Sequence, residues 1–321
     1  MPSIETMQLA GSIAIIASEG KFTYQSASSL YTNISSYQLK GFLDKQWDEQ
    51  LHLQELVDQM TIDWGTGWLI IDDTLIEKPY AKAIEGVYKA YSSKEKRFLP
   101  GMTLTLLAWT DGQQTIPLQM MLYEKDKEEK AIESKNEFAL RAIQYAHSKG
   151  IRPLKVCFDS KYAANVLLNT IHQYGWEYYC QLASNRIFDG KQLKSRRFQP
   201  YAEEGRLKGV GHRVRISKYR KRYYVTNATG KLLSTQQIVT EYRVRWKIEE
   251  LFRALKQVCH IEDCRSRRLS AQRRYITLSI QAFLLLQKEN QGTVYVAKKV
   301  FQQKQLRLKI NADKALRRLA A

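Results

Sequence analysis

Three carboxylates stand out by their positions. Asp72 follows the apolar run Trp68-Leu69-Ile70-Ile71, Asp159 follows Leu154-Lys155-Val156-Cys157-Phe158, and Glu249 lies in an amphipathic stretch beyond a basic segment. Short apolar runs bounded by turn formers read as buried strands. Strand ends deliver side chains to one rim of a sheet, where α/β proteins hold their sites. A helix packed across that sheet brings Glu249 to the same point. Three carboxylates with open positions suit two Mg²⁺ ions, which prefer oxygen ligands and keep part of their water. Two ions about 3.5–4 Å apart activate an attacking oxygen and stabilise a leaving one in phosphoryl transfer. Taken alone, each aspartate reads first as an ordinary turn or cap residue.

The helix decides between those readings. At 100° per residue, Tyr242, Arg245, Glu249 and Lys256 fall within a sector of about 60°. Val244, Ile248, Leu251, Phe252 and Leu255 fill the neighbouring sector, so a core stripe runs beside a stripe carrying an aromatic, two cations and a carboxylate. An exposed Arg245–Glu249 pair at i,i+4 accounts for two of those four residues. It leaves Tyr242 and Lys256 on the same line unexplained.

The elements that must position these residues can be read from periodicity. Residues 1 to about 62 are expected to be helical, with Leu9, Ile13, Ile16 and Ala17 at helical spacing before Gly20, then short helices at 25–31 and 36–45 capped by Ser35 or Ser36. Three short helices suit a helix-turn-helix that reads a DNA groove, or a bundle packed on the main domain. The first strand is expected at 68–71, ending in Asp72-Asp73-Thr74, with further strands at 102–109 and 115–122 around an Asp111-Gly112 turn. A helix from the charged run 125–135 to His147, a strand at 154–158, a helix at 162–172 and a strand at 178–182 follow. Two long helices, 235–257 and 269–287, and a basic helical tail complete the chain.

Charge names the partner. The 321 residues carry 51 Lys and Arg against 32 Asp and Glu, a net charge of +19. Such an excess favours a polyanionic partner, nucleic acid before membrane. No apolar run reaches the roughly 20 residues that span a bilayer. The N-terminus has no signal-peptide pattern, and four cysteines in this length predict a reducing compartment. Between Lys191 and Lys231 there are thirteen Lys or Arg against two Glu, with Tyr219, Tyr223 and Tyr224 interleaved. This β-forming segment predicts DNA contact, with Arg213, Arg215, Lys218, Arg220, Lys221 and Arg222 on phosphates. From Val296 to Ala321 there are eight basic residues and one Asp, a second candidate for DNA or protomer contact.

At these residues the chain resembles a known family. Tyr242, Arg245, Glu249 and Lys256 match, in type and spacing, the Tyr-Arg-Glu-Lys signature of DDE-type bacterial insertion-sequence transposases. Ile71-Asp72-Asp73-Thr74 with Lys78 four residues on resembles their first-aspartate motif, and Phe158-Asp159-Ser160 the second. The resemblance covers most of residues 66 to 287. It implies an α/β architecture: an RNase H-like mixed sheet flanked by helices, with a helical N-terminal domain and a β-rich insertion. It implies cut-and-paste transposition at terminal inverted repeats, with two Mg²⁺ or Mn²⁺ ions held by Asp72, Asp159 and Glu249. Tyr242, Arg245 and Lys256 would contact phosphates of double-stranded DNA, transposon ends and target alike. The active form would be a homodimer on paired ends, in the bacterial cytoplasm at the nucleoid.

The expected division is a helical DNA-binding region at 1–65 and a catalytic domain at 66–185 and 235–290. A basic β-rich insertion occupies 186–234 and a basic C-terminal helix 291–321. Strand alternation sends Asp72 and Asp73 to opposite faces; Asp72 is the expected ligand because it directly follows the apolar run, with Asp73 the alternative. Trp246 is a candidate for stacking on an unpaired base, although tryptophan's general burial favours a core position. Cys259, His260 and Cys264 have half the spacing of a zinc site, but no second ligand pair, so buried thiols are expected. His52, His147, His172 and His212 lack partner spacing for nucleophilic catalysis, and no phosphate-binding loop supports ATP use. Two other functions compete: a silent transposase-derived DNA-binding regulator, and an RNase H-fold nuclease.

Overall fold

The structure is a computed structural model that describes residues 3–28, 34–92, 95–125, 131–229, 233–289 and 292–305. The chain forms two compact units: residues 57–75 with 103–250, and residues 1–56, 76–102 and 251–321.

The first of these is built on a sheet. Strand β1 (Trp68–Glu77) is flanked by β3 (Arg97–Thr110) and β5 (Lys155–Phe158), with β4 (Thr115–Leu122) beyond β3 and β6 (Glu177–Leu182) beyond β5. The β1–β5 and β5–β6 pairs are parallel, and β3–β4 is an antiparallel hairpin. Its turn is set by local chemistry. The Asp111 carboxylate accepts the Gln113 and Gln114 amides at 2.8 and 2.6 Å, and Gly112 takes φ 93°, which a side chain resists. Leu69, Ile70, Ile71, Val156, Cys157 and Phe158 are fully buried, as a parallel sheet covered on both faces requires. Helix α5 (Lys135–Ser148) follows β4, and α6 (Asn165–Gln173) connects β5 to β6. A capping box fixes the start of α5, Ser134 taking the Glu137 amide while the Glu137 carboxylate takes the Ser134 amide.

The basic segment extends this same sheet. Strands β11 (Arg222–Thr226), β10 (Arg213–Tyr219) and β9 (Glu203–Arg206) add in that order to β6, all antiparallel, and a small ribbon of β7 (Ile187–Phe188) and β8 (Lys191–Gln192) precedes them. Val214, Ile216, Tyr223 and Val225 are buried on one face of these strands and Tyr224 on the other.

Several expectations are corrected. Strand β1 does not end at the aspartates but runs through them to Glu77, because Asp72 and Asp73 each find a cationic partner. The helix expected at 235–257 is interrupted: α7 (Thr235–Tyr242) leads into a 3₁₀ turn at Arg243–Arg245 and then α8 (Trp246–Gln257). A 3₁₀ turn advances 120° per residue, so Tyr242 and Arg245 are a full turn apart and stay on one line. Tyr242 also packs with Cys157, Tyr179 and Tyr224. Helix α5 begins at Lys135, the last residue of the charged run 125–135, of which 126–130 lie outside the described residues.

The second unit is mainly helical. Helices α1 (Ile4–Ala17), α2 (Tyr24–Ser28) and α3 (Ser36–Asp44) pack with one another, and α1 and α3 pack on α9 (Leu269–Lys288). Residues 29–31 of the expected second helix lie outside the described residues. A further helix, α4 (Glu49–Asp58), lies within the region expected to be helical, although no separate helix was placed there. The Ser12 hydroxyl lies 3.1 Å from the Leu278 carbonyl oxygen and 3.0 Å from Gln281 Oε1, so this buried donor between α1 and α9 has its acceptors. Strand β2 (Tyr88–Ser92) pairs with the first residues of β3 in this unit. Of the basic tail, residues 294–305 are helical, and 306–321 lie outside the described residues.

Two measurements test this packing. A Cβ on Gly67 would sit 2.3 Å from the Trp109 ring and 2.6 Å from the Thr110 carbonyl oxygen. Gly67→Ala should therefore lower the urea midpoint, at unchanged m value, by the equivalent of about 1–3 kcal/mol. His212 stacks on His172 with ring centroids 3.8 Å apart, and its Nε2 lies 2.9 Å from Tyr178 Oη. Burial, and then His172, lower the His212 pKa to about 4. The unfolded chain thus takes up a proton near pH 6.5 that the folded chain refuses until about pH 4, and stability falls as pH drops through that window. His212→Gln should show a smaller fall in urea midpoint between pH 6.5 and 5 than the parent.

Candidate functional site

Register brings the first two carboxylates together. Ile71 pairs with Phe158 across the parallel β1–β5 ladder, so Asp72 and Asp159 are the next residues along neighbouring chains. Residues side by side in a parallel ladder point to the same face. Strand β5 ends at Phe158 while β1 continues, which leaves the Asp72 position at the rim of that pair. Asp159 turns the chain: its Oδ1 accepts the Lys161 amide at 2.7 Å and caps the 3₁₀ turn Ser160–Tyr162.

Asp72 is 7% exposed, and its carboxylate accepts the Asp73 amide at 2.9 Å. Arg245 reaches it from the 3₁₀ turn, and the other guanidinium nitrogen donates to Glu249 Oε1 one turn further on. One side chain thus bridges two of the three carboxylates. Burial pushes the Asp72 carboxyl up to about 7, with Arg245 opposing it and the charges of Asp159 and Asp73 adding to it. Burial works against the Arg245 charge as well, but Asp72, Tyr242 and Glu249 hold its pKa above the usual value. The Tyr242 ring lies 5.6 Å from the guanidinium and meets Tyr224 edge-on at 5.2 Å. Burial raises the Tyr242 pKa, so its hydroxyl stays protonated.

Asp73 faces the other way and has a different environment. Tyr162 Oη donates to it at 2.9 Å, Lys135 Nζ at 2.7 Å, and Lys161 Nζ lies 3.7 Å away. Burial alone would raise its pKa, but the two lysines hold it below the usual carboxylate range. Lys135, Lys161 and Tyr162 were not among the residues singled out in the sequence. The only local signal is Ser160-Lys161-Tyr162 directly after Asp159.

The remaining candidates fall in several places. Trp246 is 50% exposed, which overturns the preference for a core position. It opens α8 on the side opposite Ile248, Leu251, Phe252 and Leu255, whose stripe is buried. Lys256 belongs to the other unit, where it pairs with Glu262 at 3.1 Å. Arg213 and Arg215 both reach Glu204, at 2.7 and 3.5 Å. Lys218, Arg220, Lys221 and Arg222 are exposed around the β10–β11 turn, Lys218 over the Tyr223 ring and Arg220 over Tyr219. Cys259 and Cys264 are buried thiols, and burial pushes Cys259 up to about 12.

Among the described residues, no group of three His, Cys, Asp or Glu side chains is gathered closely enough to hold a metal ion. Arg245 stands between Asp72 and Glu249 and supplies the positive charge there. The donors themselves, carboxylate oxygens only, are those that hard divalent cations take. The donor chemistry therefore fits Mg²⁺ or Mn²⁺, with the guanidinium as the internal counter-charge.

Residues 63–285 match the family model for the transposase DDE domain. Its fold class is RNase H-like, which agrees with the mixed sheet and its flanking helices. The match spans more than half of the chain, and the protein belongs to the DDE transposase family. No curated protein matches it. The family acts on DNA and typically uses divalent metal ions. Among the described residues no helix is long and apolar enough to cross a membrane.

The two neighbouring aspartates should separate in a stability measurement. Asp73→Asn removes the charge that Lys135 and Lys161 face and should cost about 2 kcal/mol, the scale of a hydrogen bond to a charged group. Asp159→Asn keeps a side-chain oxygen for the Lys161 amide and should stay within about 0.5 kcal/mol of the parent. Urea denaturation of both variants checks this.

Proposed function

We propose that the protein moves an insertion sequence by cut-and-paste transposition, with Asp72, Asp159 and Glu249 holding two Mg²⁺ or Mn²⁺ ions. The carrying observation is the Ile71–Phe158 register, which sets Asp72 beside Asp159, together with the Arg245 bridge from Asp72 to Glu249. Bound ions would supply the charge that activates the attacking oxygen and stabilises the leaving one. Water attacks a phosphodiester at a terminal inverted repeat and frees a 3′-hydroxyl. That hydroxyl then attacks the opposite strand or the target.

The chain's own residues have separable tasks in this reading. Arg245 holds the carboxylates in the free protein and turns to a DNA phosphate once they accept divalent cations. Tyr242 supports the guanidinium from one side, and its protonated hydroxyl is available to a phosphate. Exposed Trp246 offers a face to an unpaired base. Lys256 and the cations around the β10–β11 turn hold the backbone. Joining two ends requires two active sites, so the working form is a homodimer on paired ends.

The Arg245 bridge also favours a second reading, a silent DNA-binding regulator whose carboxylates stay neutralised by arginine. Duplex DNA bearing the element's terminal repeats, incubated with the full-length protein and Mg²⁺ or Mn²⁺, separates the two. Cleavage is expected, and Glu249→Gln should reduce it about 100-fold or more, the scale of removing one electrostatic stabiliser of a transition state. Undiminished cleavage by Glu249→Gln would sink the assignment, and binding without cleavage by the parent would select the regulator.

A further inference from the structure

Within the unit formed by residues 1–56, 76–102 and 251–321, the segment after β1 and the segment after α8 enclose a cleft of about 640 Å³. Lys78 forms part of its wall and is only 5% exposed. Its ammonium donates to the carbonyl oxygens of Glu262 at 2.8 Å and Cys264 at 2.9 Å. Burial works against the charge of this amine, so an anion in the cleft would stabilise it.

The acids of the cleft are already engaged. Glu262 pairs with Lys256 and accepts the Glu77 amide at 3.0 Å, the Glu77 carboxylate accepts from Ser92 Oγ at 3.4 Å, and Asp263 accepts the Phe22 amide at 2.7 Å and lies 3.1 Å from His260 Nδ1. Three of the cations are not. Lys82, Arg265 and Arg267 line the cleft and are exposed, and no acidic side chain among the described residues forms an ion pair with them. The cleft therefore presents net positive charge despite its three carboxylates. Tyr80, beside Pro79 at the rim, is 91% exposed, an aromatic face with nothing packed on it.

We propose that this cleft holds one unpaired nucleotide of a DNA strand, its base stacked on Tyr80 and its phosphates on Arg265 and Arg267. The volume lies in the range of small-ligand pockets, which admits a nucleotide and excludes a paired duplex. Base stacking on an aromatic ring tolerates any sequence, and arginine forks match phosphate oxygens in pairs. The inference rests on the family's action on DNA and not on the carboxylate chemistry.

The test uses full-length Glu249→Gln protein, fluorescein-labelled single-stranded DNA, and the same sequence as a duplex, read by anisotropy over a salt series. Tyr80→Ala should weaken single-strand binding about tenfold, within the range for loss of one stacked base, and change duplex binding less than about twofold. Tyr80→Phe should keep single-strand affinity. Arg265→Ala with Arg267→Ala should lower the single-strand salt slope by about 1.4, the value for two phosphate contacts. Single-strand binding by Tyr80→Ala equal to that of the parent would overturn the proposal, as would equal losses on strand and duplex. Failure of the cleavage chemistry would appear separately, as a parent protein that shows this binding pattern and cuts nothing.

Discussion

A carboxylate inside a sheet must meet a positive charge or give up its own. Asp72 is in that position, and Arg245 answers it. The same constraint acts on Asp73, one residue on and facing the opposite side, where Lys135 and Lys161 answer. Two adjacent acids in a strand would ordinarily end it. Here each has its own cation on its own face, and β1 runs on to Glu77. Only Asp72 is joined through Arg245 to Glu249, with Asp159 next to it in register. The pair thus has two environments: Asp73 ties β1 to α5 and to the turn after β5, while Asp72 is held by Arg245.

The 3₁₀ turn at Arg243–Arg245 follows from the same demand. Tyr242 is anchored in an apolar cluster with Cys157, Tyr179 and Tyr224, and Arg245 is anchored on Asp72 and Glu249. A regular helix carries two residues three apart through 300°, and a 3₁₀ turn carries them through 360°. The tighter turn lets ring and guanidinium lie against each other while each keeps its anchor. Such breaks within a helix commonly mark functional positions, and this one falls between two residues of the Tyr-Arg-Glu-Lys line.

What was legible in the sequence was whatever local pattern determines. The strand at 115–122, the strand at 155–158 and the helix at 269–288 follow from apolar runs and periodicity, and the structure has them close to those bounds. The facing of Asp72 and Asp73 followed from alternation alone. What was not legible depends on distant partners. The Asp73 cluster joins residues 62 and 89 positions apart in sequence, which no spacing rule reveals. Strand β2 alternates half-buried and exposed residues without an apolar run, so nothing local announced it. Trp246 is instructive in another way. A general preference for burying tryptophan was weighed above the helix's own geometry, which sets it opposite the apolar stripe, and the geometry prevailed.

The β10–β11 turn shows a local rule set aside in a place where charge matters. Tyr219 pairs with Arg222, so Arg220 and Lys221 alone form the turn, and Arg220 takes φ 55°. Glycine or asparagine is the favoured residue in such a conformation, and a larger side chain costs about 1–2 kcal/mol there. The ladder can carry that cost, because β11 is paired on its other side with β6 and β10 with β9. A glycine would relieve the backbone and remove one of the four exposed cations around the turn. Keeping arginine holds one more positive charge on a chain whose 51 basic residues outnumber its 32 acidic ones.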